Sequence, residues 1–331
     1  VWCKYPAGKI KILGYYLCMR ANGRDIVELF GYRPDDVSPA AVAAWKSKQC
    51  PFTSGTCTKT NHNQTEIYGT CSVSSGVNQA EGSEIIICPK RLYANKHALF
   101  NHVLESAWHN QSKSLVSGGT LAALKEKALA VENPVIAFGQ GSGKEIAINS
   151  NGQMSMDWVM QSYTKNGADL VANDFVGLEI QSIDITGNYR DNWDAYRRMK
   201  EGKNVDSVPS SGHGLNWANV HKRLIPQIIR KGNIYAKIDR CVGFYFILPD
   251  AVYKKFEEVI GNVPTVGTPS RENLSVITFR LDKNVEDGSH RSLELVRQVH
   301  YPLGDIAAAF IANLSEAAPL QLDQNLRNIL G

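Results

Sequence analysis

Three carboxylates and one amide stand where hydrolytic chemistry would use them. Glu179 lies in FVGLEIQSIDI (175–185), an apolar run that reads as a strand, and Gln181 follows two residues later. Side chains two apart on a strand share a face, so Glu179 and Gln181 project together. Asp157 stands between Met156 and Trp158 in a second apolar run, QMSMDWVM (153–160). An ionised carboxylate among Val, Leu and Ile is costly unless something compensates it. A Mg²⁺ ion held by Asp157 and Glu179, with the Ile180 carbonyl as a third oxygen, would offset that cost. Such an ion stabilises charge growing on a phosphate and turns water into a usable nucleophile. Glu145, at the start of EIAIN (145–149), is a further acidic candidate close to Asp157. The competing reading is a set of edge-strand carboxylates facing water.

Four of the seven cysteines, Cys50, Cys57, Cys71 and Cys88, fall in one segment with 6, 13 and 16 residues between them. The segment is rich in Thr, Ser, Asn and Gly, so it buries little apolar surface and needs a cross-link or a metal to hold a shape. Four thiolates suit a tetrahedral structural ion, zinc or iron. Paired C-x2-C knuckles are missing, and disulfides or free thiols stay open as alternatives.

Charge narrows the choice of partner. The formal net charge is +4 over 331 residues, and the window 181–240 alone holds eleven Lys/Arg against six Asp/Glu. A polyanionic partner fits this excess, as does a solvated charged face. Hydrophobic residues make up 43% and charged residues 21%, enough apolar side chain for a packed core. No apolar run approaches a bilayer span. Residues 10–19 faintly resemble a signal peptide but are interrupted by lysine and glycine, and read better as a short strand or an appended segment. GQGSGKE (139–145) fails as a phosphate loop, because Phe138 replaces the first glycine and Glu145 follows the lysine. A hairpin turn explains it. The histidines show no metal-ligand spacing, and no G-x-S-x-G elbow occurs.

These residues need elements to hold them. Residues 25–48 read as two short helical pieces broken at Gly31–Pro34. Helices are expected over 95–109, over 121–131 with Thr120 as cap, over 216–232 with a kink at Pro226, and over 305–314. Strands are expected at 134–139, 145–149, 153–160, 175–185, 243–249 and 274–282. The sum is a mixed α/β core and not a regular doubly wound sheet.

Acidic residues on adjacent strands followed by Glu-x-Lys/Gln form the pattern of PD-(D/E)xK nucleases. Taken with other motifs in order, the chain resembles the NotI family of restriction endonucleases. CPF (50–52), Cys57, GTCSV (69–73) and IICPKRLY (86–93) are similar to that family's four-cysteine segment. Asp157–Trp158, GLEIQSID (177–184), Gly187 and Tyr189 are similar to its catalytic core, and NWANVHKR (216–223) and CVGFYFILP (241–249) to later segments. The likeness runs over roughly residues 25–250.

It implies a PD-(D/E)xK endonuclease domain over 93–331, a four-cysteine module over 25–92 and an N-terminal extension over 1–24. It also implies Mg²⁺-dependent cleavage of double-stranded DNA by a homodimer at a GC-rich palindrome. By the resemblance, Asp157 and Glu179 hold Mg²⁺, Gln181 takes the usual lysine position, and Glu145 is an added acid. Cys50, Cys57, Cys71 and Cys88 hold structural iron or zinc. Lys222, Arg223 and Arg240 are candidate DNA contacts. A bacterial cytoplasmic setting and a cognate DNA methyltransferase, a genetic and not a physical partner, are implied too. Two rival readings follow from the same residues: a non-catalytic, metal-stapled DNA-binding regulator, and a secreted disulfide protein.

Overall fold

The computed structural model describes residues 23–328 apart from 54, 77–82, 110, 148–153 and 313–316. The segment 10–19, Cys3, Cys18 and the ends of two expected strands, 148–149 and 153, lie outside the described residues.

In chain order the elements open with β1 (Ile26–Leu29), α1 (Pro39–Ser47), β2 (Thr70–Ser74) and β3 (Glu84–Ile86). A 3-10 turn at Pro89–Tyr93 leads into α2 (Ala94–His97) and α3 (Leu99–Ala107), then β4 (Ser114–Val116), α4 (Leu121–Leu129) and β5 (Pro134–Gly139). Next come β6 (Ile146–Ala147), β7 (Ser155–Met156), β8 (Trp158–Asn166), β9 (Asp169–Ile180), β10 (Ile185–Thr186), α5 (Arg190–Lys200) and β11 (Gly214–Leu215). A π-helical turn at Val220–Leu224 precedes α6 (Ile225–Tyr235), β12 (Cys241–Pro249), α7 (Asp250–Ile260), β13 (Asn273–Leu281), β14 (Leu293–Pro302), α8 (Leu303–Ala312) and α9 (Ala317–Arg327).

A seven-stranded mixed sheet organises the molecule, in the order β14-β13-β12-β9-β8-β5-β4. β12 runs parallel to both β9 and β13, while β8 is antiparallel to β9 and to β5. The central place of β12 explains its sequence. CVGFYFILP is flanked on both edges and covered on both faces, so it reads as one continuous apolar run. The β8–β9 hairpin closes on Asn166 paired with Asp169, and Gly167 at φ 62° takes the left-handed position such a two-residue loop needs.

A smaller sheet, β1-β2-β3, carries the cysteine segment. Its apolar residues Ile26, Val73 and Ile86 belong to the same continuous core as Val176 and Phe246 of the large sheet. The buried Arg91 binds the buried Glu28 at 3.0 Å and also donates to the carbonyl of Arg291 at 2.7 Å. No helix among the described residues is long and apolar enough to cross a membrane.

The mixed α/β core is present, and several local expectations are corrected. IVEL (26–29) is a buried strand, not a helix, because it pairs with β2. The helix expected over 95–109 breaks at His97, whose φ of 65° is incompatible with a continuing right-handed helix. The expected 153–160 strand is interrupted at Asp157 and then continues to Asn166, and β9 starts earlier and ends earlier than expected. Pro226 falls in the first turn of α6, directly after the π turn, where its missing N–H costs least. Thr120 caps α4 as expected, accepting from the Ala123 N–H at 3.3 Å.

Candidate active site

Trp158 pairs with Leu178 across β8 and β9. One step beyond that pair, Asp157 lies across from Glu179 at the end where β9 leaves the sheet. Asp157 Oδ2 accepts from the Ile180 N–H at 2.9 Å and from the Gln181 amide at 3.5 Å. Antiparallel pairing of Ile146 with Met156 brings Glu145 alongside Asp157, with its side chain exposed. Four residues drawn from three segments therefore meet at one end of the sheet: Glu145, Asp157, Glu179 and Gln181.

Glu179 is buried and receives the ammonium of Lys231 on Oε2 at 2.5 Å. Its other oxygen, Oε1, is buried without a hydrogen-bond partner. Burial, and then the negative charge of Asp157, raise the Glu179 pKa to about 7 against the pull of Lys231. Asp157 is also raised, first by burial and further by Glu145, while the Ile180 N–H and Lys231 oppose the rise. At both carboxyls, burial and a neighbouring negative charge thus outweigh the lysine.

The surroundings fix this geometry. The Trp158 indole donates to the Tyr93 hydroxyl at 3.0 Å, and its ring packs on Phe100 and His97. Gly139 lies against Trp158, where a Cβ would overlap the indole. The glycine-rich stretch that imitates a phosphate loop is accordingly a tight turn: Gly139 and Ser142 exchange backbone hydrogen bonds at 3.0 and 3.1 Å.

On the other side, α6 lies over the face of β9 that carries Gly177 and Glu179. Tyr235 stands over Gly177, where a Cβ would overlap its ring and hydroxyl, and Lys231 stands over Glu179. Four helical residues rise about 6.0 Å and two strand residues about 6.6 Å, so the two contacts repeat in step. Sequence reasoning left Lys231 as one of the eleven cations counted in the window 181–240. The signal was present: Ile228, Lys231, Gly232 and Tyr235 share one buried helix face, an unusual place for a lysine.

The basic candidates separate. Tyr235 meets Gly177 and Lys231 meets Glu179, so α6 runs antiparallel to β9 and its N-terminus projects past the end that carries the carboxylates. Asn219 there donates to Asp184 at 2.9 Å. Lys222 and Arg223, exposed on the π turn, are thus at the carboxylate end. Arg240 is not brought to it. It precedes Cys241, which pairs with Phe175 roughly 16 Å along the strand from Ile180, and it binds the Asn173 carbonyl, farther still, at 3.0 Å.

The four cysteines are buried free thiols. Cys50 and Cys57 flank a tight loop, the Cys50 N–H bonding Gly55 and the Cys57 N–H bonding Lys48, both at 2.9 Å. The Cys88 N–H bonds the Cys71 carbonyl at 3.2 Å. Burial raises the thiol pKa values of Cys57, Cys71 and Cys88, and the neighbouring cysteines raise them further. The four thiols thus share one neighbourhood. Even so, among the described residues no group of three or more His, Cys, Asp or Glu side chains has the geometry to hold a metal ion.

No curated protein matches the chain. A family model described as restriction endonuclease NotI matches residues 40–283, well over half of the chain, and spans Glu145, Asp157, Glu179, Gln181, Lys231 and the four cysteines. The chain therefore belongs to the NotI restriction endonuclease family and is a Type II site-specific deoxyribonuclease.

Proposed function

We propose that the enzyme hydrolyses phosphodiester bonds of double-stranded DNA at the end of β8 and β9, with Mg²⁺ held by Asp157 and Glu179 in a PD-(D/E)xK core. The observation that carries the reading is the facing pair Asp157 and Glu179, with Glu179 Oε1 buried and unpartnered. A hard divalent cation matches oxygen donors whose pKa values are raised by burial and by a neighbouring carboxylate. When bound, Mg²⁺ neutralises charge growing on the phosphate and lowers the pKa of the attacking water.

The chain's own residues do the rest. The Ile180 N–H fixes the Asp157 carboxylate. Gln181 cannot act as a cation or take a proton near neutral pH, so its amide orients water or a ligand by hydrogen bonds. Glu145, exposed beside Asp157, adds an acceptor on the solvent side. Lys222 and Arg223 stand about 12 Å along α6 from Lys231, within reach of phosphates flanking the scissile one.

A homodimer acting on a GC-rich palindrome suits this chemistry, each active site cutting one strand. Arg or Lys pairing with guanine edges would supply the readout. Cys50, Cys57, Cys71 and Cys88 form a candidate iron or zinc site. Buried thiols that raise one another's pKa ionise readily only beside a cation, and that supports the reading. The test is direct: Asp157→Asn or Glu179→Ala abolishes Mg²⁺-dependent cutting and keeps salt-sensitive DNA binding. Cutting at the wild-type rate in either variant refutes the assignment.

A further inference from the structure

We propose that Lys231 is a positioning residue of the catalytic centre. From α6 it delivers the cationic amine that position 181 lacks, and it fixes Glu179 with Oε2 engaged and Oε1 left for the metal. The inference rests on the Mg²⁺ reading given above and deepens it.

Gln181 leaves the strand motif without a positive charge. Lys231 supplies one from 52 residues away in sequence, at 2.5 Å from Glu179 Oε2. The ion pair is nearly closed to solvent, with side-chain exposures of 10% for Lys231 and 4% for Glu179. Screening by salt is therefore weak at this contact. A buried ion pair is poor at stabilising a fold, since two apolar side chains of similar volume in place of both members are often as good or better. Stability alone thus gives the Lys231–Glu179 pair as a whole little reason to be there.

Its placement is also specified from elsewhere. Tyr235, one helical turn on, is seated on Gly177, a position where a Cβ would collide with it. That contact sets the height of α6 over β9, and the matched rise of helix and strand then puts Lys231 on Glu179. Two acceptor oxygens are thereby made unequal. Oε2 is occupied by the ammonium, while Oε1 is buried with no partner. Lys231 acts through Glu179 and is not itself assigned a contact with DNA.

The experiment compares wild type, Lys231→Met, Lys231→Arg and the double variant Lys231→Met/Gln181→Lys. Three readouts are taken: the thermal melt in chelator, Ca²⁺ binding by calorimetry, and Mg²⁺-dependent cutting of a sequenced viral genome. Lys231→Met is expected to melt cooperatively, to bind Ca²⁺ about 10–100-fold more weakly and to cut slower by a similar factor. Lys231→Arg keeps the charge but shifts it, and falls between wild type and Lys231→Met in both readouts. Restoring a lysine at position 181 recovers at least part of the loss in the double variant.

Wild-type cutting by Lys231→Met overturns the proposal. So does equal or tighter Ca²⁺ binding, which would make Lys231 a mere counter-ion for a buried carboxylate. Should Lys231→Met fail to fold, Lys231→Arg decides, and unchanged cutting there overturns it. If wild type itself cuts no DNA with Mg²⁺, the nuclease geometry falls first and takes the proposal with it.

Discussion

Glu179 gives the metal-free enzyme a pH dependence of defined sign. Its pKa rises from 4.5 to about 7 on folding, chiefly because the residue is only 3% exposed. A carboxyl whose folded pKa exceeds its unfolded one holds its proton more tightly in the folded state. Its contribution to stability is complete below pH 4.5 and is lost as pH rises through about 7. At 1.36 kcal/mol per unit the loss is about 3 kcal/mol. For a chain of 331 residues that amount moves the melting midpoint by about 4–5 °C. The assay is a series of thermal melts from pH 5 to 8 in chelator, comparing wild type with Glu179→Gln. The wild-type midpoint is expected to drop across this range relative to that of the variant, which has no proton to lose. Saturating Mg²⁺ should flatten the wild-type curve, since the metal then replaces the proton. Parallel curves for the two proteins in chelator would refute the reasoning.

Other perturbations test the frame around the site. Gly177→Ala drives a methyl into Tyr235 and should cost about 1–3 kcal/mol in urea unfolding, with a loss of cutting as α6 shifts. Glu28→Gln leaves Arg91 charged in the core and should cost about 3–5 kcal/mol in the same assay. Lys222→Ala and Arg223→Ala should each lower the slope of log affinity against log salt by about 1. Arg240→Ala, engaged with Asn173 at the far end of the strands, should leave that slope unchanged in the same titration.

Asp157 and Glu179 were legible in the sequence because an acid inside an apolar run is a local anomaly. The order of motifs around them was legible too, and the family match covers the same stretch. Position across strands was not. Arg240 stood beside Lys222 and Arg223 as a candidate DNA contact, but parallel pairing of β9 with β12 puts it at the opposite end. Lys231 was visible as a charge and not as a neighbour of Glu179, because the contact needs a helix to be laid over a strand in a set direction. IVEL was misread as helix because three apolar residues in a run of four carry no period, and only pairing with β2 decides them. The π turn at 220–224 left no mark beyond Pro226. The helix α7 and the strand β14 were passed over, the latter because most of its side chains stay partly exposed and blur the alternation.

The link from Glu28 through Arg91 to the carbonyl of Arg291 joins positions separated by 63 and 200 residues. It ties the sheet beside the cysteines to the segment just ahead of β14. The two sheets have no separate interior along which to come apart. Oxidising or alkylating the cysteines should therefore dissolve both sheets in one cooperative event, and a nicked or shortened chain would lose the nuclease together with the cysteine segment.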